Sequence, residues 1–120
     1  MKINYVMIFV SDMSKSVAFY RDVVGMPLKY ETPEWSEFIT EGTNLALHKA
    51  LATAGNRDRL EAGQCRPGFQ VADLNGFHNR MTNNNVECVE QPKESFGVMI
   101  AQYKDPDGLE FSVSQEIKQS

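Results

Sequence analysis

Disulfide stapling is excluded first. The chain carries only Cys65 and Cys88, too few for a framework and without the CxxC or Cys-His spacing of a redox pair or nucleophile. Two reduced thiols point to a cytoplasmic protein. A basic block is also missing: 12 Lys and Arg stand against 16 Asp and Glu, a formal charge of −4, which gives nucleic acid no electrostatic footing. No apolar run approaches the ~20 residues a membrane span requires, and the N-terminus lacks the long apolar segment of a signal peptide. No membrane partner is expected. What remains is ordinary globular composition, 42% apolar and 23% charged over 120 residues, enough for one domain or two small modules sharing a core.

The most legible stretch is Tyr103–Val113, YKDPDGLEFSV. Pro106 presets φ, Asp105 and Asp107 can accept from nearby backbone amides, and Gly108 takes a positive φ without a Cβ clash. Strand-forming runs flank it on both sides, so it predicts an antiparallel hairpin. Earlier, Met1–Val10 alternates as a strand, with Tyr5, Met7 and Phe9 on one face and Val6, Ile8 and Val10 on the other. Asp12 caps a helix whose buried stripe is Met13, Val17, Tyr20 and Val24, and Gly25 ends it. Short strands follow at Leu28–Glu31, Trp35–Thr40 and Asn44–Lys49. Residues 51–63 lack a period and read as a linker.

Then the order restarts. Arg66–Val71 reads as a strand, Asp73 caps a helix burying Leu74, Phe77 and Met81, and Asn83-Asn84-Asn85 ends it. His78 reads as a solvated residue of that helix. Strands at Val86–Gln91, Val98–Tyr103 and Leu109–Ser114 complete the half. Val10-Ser11-Asp12-Met13 answers Val71-Ala72-Asp73-Leu74, each a strand running into a capped helix. The expectation is a single α+β domain over residues 1–120, built of tandem βαβββ modules at 1–50 and 64–118.

Four stretches then carry a resemblance: VSDMSKSVAFYRDVVGM, EWSEFITEGTNLALHKA, GFQVADLNGF and DPDGLEFSV. In this order and spacing the chain resembles the vicinal oxygen chelate superfamily, which includes glyoxalase I, extradiol dioxygenases, fosfomycin-resistance and bleomycin-resistance proteins. The resemblance implies a curved mixed sheet around a cavity with the helices outside, and a homodimer. It also implies a divalent metal held by four side chains, one on the first and one on the last strand of each module. Those positions here fall on Tyr5, His48, Arg66 and Ser112.

Only His48 is an ordinary ligand. A divalent transition metal needs convergent N, O or S donors and carboxylates to balance its charge. Arg66 has no lone pair to give, Ser112 is a weak neutral donor, and Tyr5 would have to ionise. Glu110 shares a strand face with Ser112, so His48 and Glu110 are the pair left if a metal is present. No cofactor is therefore expected.

In place of a metal, Arg66 can bind a carboxylate or phosphate, or form an internal ion pair with Glu110 or Glu37. His48 can orient a ligand oxygen or serve as a structural histidine. Tyr5, Met7, Trp35, Met99 and Tyr103 are expected to line an apolar pocket beside these polar groups, or simply to fill the interior. Three readings follow. One is a metal-free protein that sequesters a small aromatic or anionic compound, as bleomycin-resistance proteins do. The others are a metal-dependent lyase, dioxygenase or thiol transferase with a rearranged site, and a partner-binding module without ligand chemistry.

Overall fold

Among the described residues, eight strands form two four-stranded sheets, ordered β1-β4-β3-β2 and β5-β8-β7-β6. The computed structural model describes residues 3–50, 65–95 and 97–117, which fall into two compact units, one on either side of residues 51–64. The linker expected at 51–63 lies outside the described residues.

In module one, β1 (Tyr5–Val10) lies parallel to β4 (Asn44–Lys49), and β3 (Trp35–Phe38) and β2 (Leu28–Glu31) add on antiparallel. The parallel pair demands a crossover, and α1 (Met13–Ala18) supplies it. The Asp12 carboxylate caps α1 by accepting from the Lys15 amide at 3.0 Å. The helix then widens into a π-helical stretch, Phe19–Val24, and Gly25 closes it at φ 95°. That widening accompanies the burial of both Phe19 and Tyr20, neighbours in sequence. The sheet's apolar face, Ile8, Val10, Phe38, Leu45 and Leu47, is buried with Met13, Val17 and Tyr20.

Module two repeats this arrangement. β5 (Gly68–Val71) lies parallel to β8 (Glu110–Gln115), followed by β7 (Val98–Lys104) and β6 (Cys88–Ser95). The crossover is α2 (Leu74–Asn83), capped by Asp73, which accepts from the Gly76 amide at 3.1 Å. Past α2, Asn85 takes φ 57°, the left-handed conformation expected of the asparagine run. Leu74, Phe77 and Met81 are buried with Ala101, Tyr103, Phe111 and Val113. Each module thus has one covered sheet face and one open face.

The hairpin at residues 105–108 forms as its sequence requires. Asp105 is buried, and its Oδ1 accepts from the Asp107 and Leu109 amides, both at 2.9 Å. Gly108 sits at φ 82°. Several strand limits shift by a few residues from expectation, and two of the shifts matter. β5 begins at Gly68, so Arg66 precedes the strand, and β6 runs on to Ser95 through Pro92. Pro92 is tolerated because β6 is an edge strand whose register shifts between Glu90 and Lys93.

Candidate functional site

On the open face of module one, strand register sets three rows of side chains. His48 is paired with Phe9 on one side and Trp35 on the other, Ala46 with Met7 and Glu37, and Asn44 with Tyr5. The expected residues Tyr5, Met7, Trp35 and His48 therefore share one face. Ala46 in the middle row is small and fully buried, and the Tyr5 and Trp35 rings meet edge to face with centroids 5.2 Å apart. His48 lies between aromatic partners, 5.9 Å from Trp35 and 5.4 Å from Phe9. Such pairs contribute roughly 0.5–1.5 kcal/mol each beyond area burial. Tyr5 and Phe9 are nonetheless about half exposed, at 48% and 58%.

The polar centre of this face is Glu37. Its Oε1 accepts from Trp35 Nε1 at 3.3 Å and from the Tyr30 hydroxyl at 3.4 Å, while Oε2 accepts from Asn44 Nδ2 at 3.0 Å. Lys29 Nζ lies 3.7 Å from Oε2. The Asn44 hydrogen bond, with those of Trp35 and Tyr30 and the Lys29 charge, holds the carboxyl below its ordinary pKa against the opposing effect of burial. A carboxylate thus orients the indole edge. An open depression of about 760 Å³ includes Tyr5, Lys29, Glu37 and Asn44 in its lining. A second, of about 530 Å³ beside the start of α1, contains none of the expected site residues.

His48 Nδ1 lies 2.8 Å from the Lys49 carbonyl oxygen. A carbonyl only accepts, so Nδ1 carries the proton and Nε2 of the neutral ring is the acceptor.

The open face of module two has a different chemistry. Gln102, Ser112 and Gly68 form one row across β7, β8 and β5, and Glu110 stands opposite Lys104. Arg66 reaches this face from just before β5. Its Nη1 donates to Gln102 Oε1 at 3.4 Å, and its Nη2 lies 3.6 Å from Glu110 Oε1. Of the two internal ion pairs open to Arg66, the structure has the one with Glu110. A Cβ on Gly68 would stand 3.2 Å from Ser112 Oγ, so the backbone passes close beneath that hydroxyl.

Met99 and Tyr103 do not join an open face. Tyr103 is fully buried on the helix side, its ring 5.7 Å from Phe77 and 5.8 Å from Phe111, and Met99 shares its strand parity. His78 is corrected as well. It is half-buried, and its Nδ1 lies at hydrogen-bond distance, 2.9 Å, from the Tyr103 hydroxyl. Burial, with the charge of Cys88 across the strand pair, pushes the Tyr103 phenol up to about 12. The residues missed were Asn44 and Tyr30, which hold Glu37, and Gln102, which holds Arg66. Gln102 had a signal: with Lys104 it marks the polar parity of an otherwise apolar strand.

The donor set does not suit a resident divalent cation. Of Tyr5, His48, Arg66 and Ser112, only His48 presents a ready lone pair. Arg66 brings a permanent charge of the wrong sign, and it already faces the nearby carboxylate of Glu110. Among the described residues, no three His, Cys, Asp or Glu side chains gather where a metal ion could be held.

With two βαβββ modules, parallel outer pairs and open faces in hand, the comparisons with known proteins agree. Residues 2–113 match the family described as the Glyoxalase/Bleomycin resistance protein/Dioxygenase superfamily, and the chain belongs to it. Among its relatives is the metallothiol transferase FosB of Staphylococcus saprophyticus, 27% identical over 112 residues, covering 92% of this chain and 74% of that protein. The uncharacterized protein YraH of Bacillus subtilis is 25% identical over 118 residues, covering 89% of this chain and 92% of its own. A glyoxalase/dioxygenase from Nostoc punctiforme has the same fold, with TM-score 0.85 at 16% identity over 98% of this chain and 92% of that one. Among the described residues, no helix is long and apolar enough to cross a membrane.

Proposed function

We propose that this chain is a metal-independent, small-molecule-binding member of the superfamily that takes a planar aromatic compound on the open face of module one. One observation carries the reading: the Arg66 guanidinium lies beside Glu110 and Gln102, at a position the resemblance gives to a metal ligand. The half-exposed rings of Tyr5 and Phe9, with Trp35 held by Glu37, supply the apolar surface, and His48 Nε2 supplies one directional acceptor. The reading includes a cytoplasmic homodimer, which size-exclusion chromatography with light scattering tests.

The deciding measurement is the metal content of protein purified without chelator, followed by calorimetric titration with Zn²⁺, Ni²⁺, Mn²⁺ and Fe²⁺. The expected outcome is no stoichiometric metal and no saturable binding. Trp35 is the sole tryptophan, so quenching of its emission by a panel of aromatic compounds reports ligand binding at the face itself.

A second reading has support of its own. The likeness to a metallothiol transferase favours a metal-dependent enzyme with a rearranged site, in which His48 and Glu110 would be the protein donors. A stoichiometric metal that is lost in His48→Ala would establish that reading and displace the first.

A further inference from the structure

We infer that the open face of module two is a receptor for a carboxylate: Arg66 binds it, and Glu110 is an internal occupant which it displaces. This rests on the metal-independent reading above, and it names the chemical class of ligand that the open face of module two takes.

Arg66 is poorly satisfied for a side chain only 26% exposed. A guanidinium has five N–H donors in a planar fork. Here one of them makes a long bond of 3.4 Å to Gln102, and the Glu110 oxygen at 3.6 Å is beyond hydrogen-bond distance. Charge-assisted bonds to carboxylates are ordinarily near 2.7–2.9 Å and often paired. The contact with Glu110 is therefore an ion pair without the fork geometry that makes such pairs strong. Partly exposed pairs of this kind contribute roughly 0–1 kcal/mol. An arriving carboxylate that engages two N–H groups at once outcompetes it.

The surroundings leave this exchange open. The other charges on the face are matched elsewhere: Glu90 pairs with Lys93, and Lys104 Nζ lies 3.5 Å from Glu87 Oε2. Neither a second carboxylate nor a second cation competes at Arg66 among the described residues. In the neighbouring row, Ser112 stands over Gly68, where the missing Cβ leaves the hydroxyl unobstructed. Its O–H is a second donor for the same ligand group. A planar fork engages carboxylate and phosphate alike, and the group already facing Arg66 is a carboxylate, which makes a carboxylate the natural replacement.

The test is an NMR titration of the ¹⁵N-labelled full chain in chelator, following the Arg66 Nε–Hε signal and the Gly68 and Ser112 amides. The probes are benzoate, phenyl phosphate and neutral benzamide. Benzoate is expected to bind at least tenfold more tightly than benzamide, a difference of about 1.4 kcal/mol. Arg66→Gln abolishes that preference, Arg66→Lys keeps part of it, and Glu110→Gln strengthens benzoate binding several-fold. Equal binding of benzoate and benzamide to metal-free protein overturns this inference alone, as does weaker benzoate binding by Glu110→Gln. Tighter binding of phenyl phosphate than benzoate overturns the carboxylate assignment. Benzoate binding that requires added Zn²⁺ overturns the metal-independent reading instead.

Discussion

The two modules share a skeleton and differ on their open faces. Both have a parallel strand pair bridged by an aspartate-capped helix, and both bury aliphatic and aromatic residues beneath it. On the open side, module one presents rings around a fully bonded carboxylate, while module two presents a loosely paired arginine among amides and hydroxyls. The helix-covered face is constrained by packing, which tolerates little change in volume. The open face is bound only by strand alternation, so the two modules are free to differ there. Ligand chemistry is accordingly sought on the open faces.

The largest effects should be the same in both halves. Phe38 and Phe111 are both fully buried on helix-covered faces, so Phe38→Ala and Phe111→Ala should each cost about 3–5 kcal/mol in urea denaturation. A loss under half that size in one of them would mean that the cores are not equivalent.

Alkali should separate the modules. An unfolded tyrosine titrates near 10, whereas Tyr103 is held protonated to about 12 by burial and by Cys88. Above pH 10 the unfolded chain releases a proton that the folded chain retains, so stability falls as pH rises between the two values. The loss should reach about 2–3 kcal/mol by pH 12, and Tyr103→Phe should flatten that slope in urea melts measured against pH. An unchanged slope in Tyr103→Phe would remove module two's special sensitivity.

The helix caps return to symmetry at a smaller scale. Asp12 and Asp73 have the same extended backbone and accept from the amide three residues on, at 3.0 Å and 3.1 Å. Asp12→Ala and Asp73→Ala should each cost about 1 kcal/mol by thermal or chemical denaturation. A difference of more than twofold between them would show that one crossover depends on its cap and the other does not.

Most of this skeleton was legible, because caps, turns and alternation act locally. Asp12, Asp73, Asn85 and Gly108 announce conformations that neighbouring sequence enforces. The shared face of module one was legible in part, since Tyr5 and Met7 alternate with the apolar Val6 and Ile8. β7 was not: VMIAQY is apolar on both parities, so Met99 and Tyr103 were placed on the wrong side. The polar parity of Gln102 and Lys104 was the available correction. His78 follows Phe77 and lies between Leu74 and Met81 on the buried stripe of α2, yet histidine suits water as well as a partial burial against Tyr103. The distance between Arg66 and Glu110 depends on the register of β5 with β8, strands far apart in sequence, and no local signal encodes it.

The finest contrast is on the acid side and belongs to module one. Glu37 is held below its ordinary pKa chiefly by Asn44, and its side chain is only 13% exposed. A carboxyl depressed in the folded state stabilises it above the unfolded pKa, and that contribution is lost as pH falls through the folded value. Acidification should therefore weaken module one by less than about 1 kcal/mol, the net scale of one hydrogen-bonded group. Trp35 should report it, because protonating Glu37 alters the acceptor of its indole N–H and shifts the emission of the sole tryptophan. In Glu37→Gln that acid shift should vanish while the alkaline slope from Tyr103 stays intact. If the emission of Glu37→Gln still moves with acid as the unaltered chain does, Glu37 does not hold the indole, and the aromatic face of module one is organised by ring packing alone.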